Sequence, residues 1–112
     1  MIIGTATALI FLAASPAFSL SGDQWYIGGT LHSATVGQWH QASYANKLAT
    51  AASWALMQPD VRNISRQSST MDTVRPYAEE LVGCIDKVTI GASYDDKTVS
   101  GLAAACMVSF GW

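Results

Sequence analysis

Residues 73–88 have the sequence TVRPYAEELVGCIDKV, and this stretch decides the fold. Its apolar residues recur at intervals of three and four, the period of a helix that buries one face. These residues are Val74, Tyr77, Ala78, Leu81, Ile85 and Val88. Pro76 falls in the first turn, where a missing N–H has no cost. Lys87 lies at the end, where the helix dipole favours a cation. We therefore predict a helix that begins near Thr73.

A second apolar stripe follows a polar turn at residues 93–97, with Thr98 as a candidate N-cap. Its members are Val99, Leu102, Ala103, Cys106 and Phe110. Cys84 and Cys106 are the only cysteines, and an even pair in a small exported domain predicts a disulfide. The last two helices should therefore form an antiparallel hairpin whose crosslink contributes roughly 3 kcal/mol. A pair of reactive or metal-binding thiols is the competing interpretation, but redox pairs usually have the C-x-x-C spacing.

Two more helices are predicted upstream of this hairpin. Residues 35–38, TVGQ, have the form of a capping box and predict a short helix to about Gln41. Ser43 is a good N-cap for a main helix over residues 44–57. The buried stripe of that helix is Tyr44, Leu48, Ala51, Ala52 and Ala55. The chain is thus predicted to be all-α, a small bundle of three to four helices.

Residues 58–70 are polar and show no strong period, so they are predicted to form a connection. Pro59 follows the main helix, as expected of a residue that cannot continue it. Asn63-Ile64-Ser65 matches the N-glycosylation acceptor pattern, which would matter only in a eukaryotic source. The alternative is an ordinary polar loop.

The N-terminal part has the features of an export signal, because no charged side chain precedes Asp23. Residues 2–14 are long enough for a signal-peptide core and shorter than the roughly 20 residues of a spanning helix. We predict cleavage after Ser19, which leaves residues 20–34 as an extended arm, residues 35–112 as a helical domain and no stable membrane span. No basic residue precedes the apolar run, so an uncleaved anchor, a first core helix or a misplaced start codon are alternatives.

The charge pattern and the polar residues argue against several classes of site. The chain has eight acidic and six basic residues, without the basic face that nucleic acid or an anionic membrane requires. His32 and His40 lack the further ligands of a zinc site, and Asp95-Asp96 lacks the spaced oxygens of a calcium loop. No G-x-S-x-G motif is present. We therefore predict no enzymatic activity, no metal and no cofactor.

The tryptophans carry the functional prediction. Trp54 lies off the apolar stripe of the main helix and Trp39 belongs to the short helix with His40, so Trp39, His40 and Trp54 are the candidate interaction surface. The sequence favours an exported, non-enzymatic interaction module in the periplasm or outside the cell, with another extracytoplasmic protein as its partner. The alternatives are an acid-stress periplasmic chaperone and a small-molecule carrier with a tryptophan-lined pocket.

Overall fold

The computed structural model describes residues 24–112, except for the side chain of Ala92. The predicted signal peptide, residues 1–19, lies outside the described residues, as does the start of the predicted arm. The helices are α1 (Val36–Gln41), α2 (Tyr44–Ala55), α3 (Pro59–Ser68), α4 (Arg75–Val88) and α5 (Val99–Phe110). The predicted all-α class is confirmed, since residues 24–112 contain no strand beyond one isolated bridge. Over the same residues, no helix has the length and apolar character needed to cross a membrane.

Both predicted N-caps upstream are confirmed. The hydroxyl of Thr35 accepts from the Gln38 backbone N–H at 3.2 Å, and the Gln38 side chain accepts from the Thr35 N–H at 2.9 Å. Ser43 caps α2 by accepting from the Asn46 N–H at 3.1 Å. The predicted buried position of Tyr44 is wrong, because its side chain is 53% exposed. Tyr44 occupies the first residue of α2, and continuous burial starts one turn later at Leu48.

The predicted connection at residues 58–70 is also wrong, because α3 occupies most of it. Pro59 stands in the first turn of α3, where proline is favoured, so it starts a helix as well as ending one. Val61 is the one fully buried residue of α3, and it packs with Ala55 and Val74 in a small second core. One buried side chain is too little to produce a visible apolar period. The helix ends at Ser69, whose φ of 59° is left-handed.

The hairpin of α4 and α5 is confirmed, and Cys84 and Cys106 form the predicted disulfide across it. Their Cα atoms are 6.2 Å apart, within the range that a disulfide can span. Helix α4 supplies much of the main core and also packs against α2. Its fully buried side chains are Ala78, Leu81, Val82 and Ile85. Val88, predicted in the same stripe, is instead 46% exposed as the last residue of the helix.

The described part of the arm lies against α2. Thr30 and Asn46 exchange two hydrogen bonds of 2.8 Å, and the Leu31 N–H donates to the Thr50 hydroxyl at 3.2 Å. Gly29 makes this approach possible, since a Cβ there would lie 2.5 Å from the Thr50 backbone nitrogen. The arm is thereby held to the helical bundle by backbone contacts as well as by side chains.

Helices α1 and α5 begin side by side. The Val36 N–H donates to the Lys97 carbonyl at 2.8 Å, and the Val99 N–H donates to the Ala34 carbonyl at 3.0 Å. Thr98 is the N-cap residue of α5, as predicted, but its side chain makes no capping hydrogen bond. A backbone carbonyl from a distant segment satisfies the first N–H of that helix instead.

Candidate interaction site

The structure places Trp39 and Trp54 in the core, so these tryptophans do not form the exposed surface predicted for them. Trp39 is 0% and Trp54 is 7% exposed. Their rings stack with centroids 6.0 Å apart, and His32 from the arm meets Trp54 edge-on at 5.8 Å. The face of α2 that carries Trp54, outside the predicted apolar stripe, is therefore covered by α1 and the arm. The prediction missed this packing because neither of those segments has a strong period of its own.

Five residues with hydrogen-bonding or charged groups connect α1, α2 and the end of α4 beside these rings, in what we term the α1–α4 corner: Trp39, His40, Lys47, Asp86 and Thr89. The indole N–H of Trp39 donates to Asp86 Oδ1 at 2.8 Å. Lys47 Nζ lies 3.4 Å from the same oxygen and 5.7 Å from the centroid of the Trp39 ring. One carboxylate thus joins α1, α2 and α4, with a cation that also rests on the aromatic face.

His40 is exposed, and it is the member of the predicted surface that solvent reaches. Its Nε2 lies 2.7 Å from the hydroxyl of the buried Thr89. That hydroxyl has a single proton, which it donates to the Ile85 carbonyl at 2.6 Å. Thr89 therefore links the exposed ring of His40 to the backbone at the end of α4. Within residues 24–112, no three His, Cys, Asp or Glu residues come close enough to hold a metal ion.

A different surface, absent from the sequence predictions, is formed by α5. We define the α5 face as Gly101, Ala104, Ala105 and Val108, which share one side of the helix at spacings of three and four. All four residues are exposed, and the Val108 side chain is 78% exposed. No charged residue occurs between Lys97 and Trp112. The exposed polar side chains of α5 are limited to Ser100 and Ser109, whereas a surface helix normally has charged and polar residues along its exposed face.

A shallow apolar groove runs beside the α5 face, between α4 and α5. It is lined by Cys84, Val88, Leu102, Ala105, Cys106 and Ser109, so the disulfide forms part of its floor. Toward the start of α5, Leu102 and Gly101 also line a second depression with Tyr94 and Lys97. The groove and the α5 face together extend along the whole of α5.

A polar cleft lies elsewhere, between Tyr26 of the arm and the end of α3. It is lined by Tyr26, Ser65, Ser69, Thr70, Met71 and Asp72. In the same region Arg75 lies over the Trp25 ring, 5.4 Å from its centroid. The buried indole N–H of Trp25 has no hydrogen-bond partner in the described part of the chain.

Comparison with known protein families, with curated proteins and with solved structures finds no match to this chain. One sequence signal could have revealed the α5 face. The last helix has no charged residue, whereas α4 of similar length has five. A helix on the surface of a small domain normally has a polar side.

Proposed function

We propose that this protein is an exported, non-enzymatic module that binds another protein through the α5 face. The observation that carries this proposal is the exposed and uncharged side of α5 beside an apolar groove. Apolar residues scattered singly on a surface need no explanation, but a contiguous set commonly marks a binding surface. Ile27, Tyr44 and Met57 are exposed singly elsewhere, whereas the exposed apolar residues of α5 occupy consecutive turns of one helix, beside Val88 at the end of α4.

The size of this surface fits a protein partner. Val108 is 78% exposed, and Val88 and Tyr94, which line the groove and the second depression, are 46% and 38% exposed. Side chains of these types at these exposures present roughly 300 Å² of surface, which falls in the range of the largest apolar patch of a typical monomer. The alanines and the glycine of the α5 face add to it.

The shape of the surface favours a helix or another elongated apolar element as the bound structure. Three of the four residues of the α5 face are small and permit close approach of a second backbone, while Val108 of the face and Val88 beside it supply larger contacts. Amphipathic helices commonly bind in this way, with side chains in a shallow groove. The groove is open along its length, which suits a chain segment better than an enclosed small molecule.

The disulfide supports the export part of the proposal. A Cys84–Cys106 bond fits an oxidising compartment such as the periplasm or the extracellular space, because cytoplasmic thiols are kept reduced. It also fixes the groove, because it crosslinks the two helices that form the walls.

Site-specific photocrosslinking tests the proposed function. A photoreactive amino acid at position 108 should give one defined crosslinked polypeptide in the cells that produce this protein. The matched control is position 67, an exposed glutamine on α3 away from the α5 face. Val108→Asp should abolish capture by a probe placed at position 105. Equal crosslinking at positions 67 and 108, or capture that survives Val108→Asp, would overturn the proposal.

A further inference from the structure

Helices α3 and α5 both end at a residue with a left-handed backbone, but the two residues differ. Helix α5 ends at Gly111, with a φ of 81°, whereas α3 ends at Ser69, with a φ of 59°. Glycine is the usual residue at such an end, because a Cβ is unfavourable in the left-handed region. In the described part of the chain, Ser69 is the one residue other than glycine with a positive φ. Residues held in this conformation often belong to functional sites.

Ser69 lines the polar cleft between Tyr26 and the end of α3. The cleft has a volume of about 490 Å³, which lies within the roughly 300–1,000 Å³ of small-molecule sites. Its lining combines hydroxyl groups, one carboxylate and one aromatic ring beside a methionine. The hydroxyls belong to Ser65, Ser69 and Thr70, the carboxylate to Asp72 and the ring to Tyr26.

The turn after α3 is held by side chains outside the lining, which leaves hydroxyls of the cleft open to a ligand. The Ser68 and Thr73 hydroxyls lie 2.9 Å apart, and Thr73 also donates to the Thr70 carbonyl at 3.2 Å. The Ser65 hydroxyl, by contrast, lies 3.9 Å from the sulfur of Met71, a weak acceptor. A ligand oxygen would be a better partner for it. Because the turn is already ordered, binding has a lower entropic cost.

The charges around the cleft favour a neutral ligand. Asp72 is the one charged residue among the residues that line it, so no basic side chain is placed there to bind an anion. Arg66 follows Ser65 in α3 and offsets the attraction of Asp72 for a cation. Arg75, which lies near the cleft, is paired with Glu79 at 3.2 Å. The formal charges of these two acidic and two basic residues sum to zero.

We propose that the polar cleft binds a neutral sugar. Sugar hydroxyls donate and accept hydrogen bonds, as the hydroxyls of Ser65, Ser69 and Thr70 do. The ionised carboxylate of Asp72 has two oxygens and can accept from two adjacent sugar hydroxyls. The face of a sugar ring that presents C–H groups is apolar and packs on an aromatic ring, here that of Tyr26. This site is separate from the α5 face and gives the protein a second binding function.

Titration of the oxidised protein, purified as its own cells export it, with neutral monosaccharides tests the proposal. The probes are glucose, galactose, mannose and N-acetylglucosamine, and saturation-transfer NMR measures their binding. At least one should bind with a Kd on the order of 1 mM, as expected for a ligand of about 12 non-hydrogen atoms. Glucosamine and glucuronate, a cationic and an anionic sugar, should bind more weakly than the best neutral one.

Exchanges between serine and glycine connect the left-handed backbone to binding. Ser69→Gly should raise the midpoint of thermal denaturation and weaken sugar binding several-fold, because it relieves the backbone and removes a hydroxyl. Gly111→Ser is the matched control at the end of α5, and it should lower the midpoint while sugar binding stays unchanged. Asp72→Ala and Tyr26→Ala should each weaken binding at least tenfold, whereas Tyr26→Phe keeps the ring and should bind nearly as well as the natural protein.

Each alternative outcome removes a defined part of the proposal. If no sugar binds at about 50 mM, roughly fifty times the expected Kd, the proposal is overturned. Tighter binding of glucosamine or glucuronate overturns the neutral ligand class, and binding that survives both Asp72→Ala and Ser69→Gly overturns the cleft as the site. Val108→Asp, which disrupts the α5 face, should leave sugar binding intact, so this proposal and the proposed function can fail independently.

Discussion

The α1–α4 corner and the α5 face show two ways in which a small helical domain treats its surface. In the corner, a buried tryptophan donates to Asp86, Lys47 lies over its ring, and His40 is anchored on Thr89. Each of these polar groups has a partner from another segment of the same chain. On the α5 face, small and branched apolar residues meet only solvent. The corner is therefore complete within one chain, whereas the α5 face lacks a cover.

The largest effect should come from removing the aromatic centre of the corner. Trp39→Ala should lower the free energy of unfolding by about 3–5 kcal/mol, since it deletes a fully buried ring and its stacking on Trp54. Urea denaturation followed by circular dichroism measures the loss. Gln41→Ala, an exposed change in the same helix, should cost less than about 0.5 kcal/mol. A small loss for Trp39→Ala would show that the corner is not a closed part of the core.

The next effect concerns the hairpin that carries the α5 face. Replacing both Cys84 and Cys106 with alanine should lower the free energy of unfolding by roughly 3 kcal/mol, because the 22-residue separation closes a long loop in the unfolded chain. The unaltered protein in excess reductant is the matched control and should show a similar loss. If neither treatment changes the denaturation midpoint, the disulfide does not stabilise the hairpin.

A smaller effect should distinguish the contribution of the Trp39–Asp86 hydrogen bond to stability from that of the Lys47–Asp86 ion pair. Asp86→Ala should lower the free energy of unfolding by about 1–3 kcal/mol, since it leaves the buried indole N–H of Trp39 without its acceptor. Asp86→Asn keeps an acceptor oxygen and removes only the partly exposed ion pair with Lys47, so its cost should be below about 1 kcal/mol. Thermal and urea denaturation of both variants provide the comparison. Equal losses would assign the stabilisation to the charge instead.

The last prediction concerns two glycines whose replacement by alanine should change the free energy of unfolding in opposite directions. Gly101→Ala should raise the free energy of unfolding of the monomer by roughly 0.5–1 kcal/mol, because alanine favours the helix and the space is open. Gly29→Ala should lower it, because its Cβ would collide with the Thr50 backbone. Destabilisation by Gly101→Ala would show that the α5 face is already packed within the chain.

Much of the fold could be predicted because its signals are local. The capping residues Thr35 and Ser43 and the stripe around Leu81 fixed the positions of α1, α2 and α4. Cysteine number and helix register together predicted the disulfide. Helix α3 could not be predicted this way, since a single buried valine produces no period and Pro59 suits the end of one helix as well as the start of the next.

The candidate site was predicted less well than the fold. Whether a residue outside the apolar stripe of its own helix is buried depends on segments that are distant in the sequence. Trp39 donates a hydrogen bond to Asp86, which is 47 residues away in the sequence. Trp54 packs against His32 of the arm and Trp39 of α1. No local pattern contains that information. The α5 face differs, because its signal is visible in the sequence as a helix without charged residues. That signal is ambiguous, since a helix without charges is also expected to be fully buried.

The paired starts of α1 and α5 have a consequence for amide hydrogen exchange. First-turn N–H groups of a helix usually exchange rapidly, because they have no intrahelical acceptor. Here the Val36 and Val99 amides are bonded to carbonyls from the opposite segment. Both side chains are fully buried. These two amides should therefore exchange only when α1 and α5 separate, which makes the beginning and the end of the helical domain one cooperative unit.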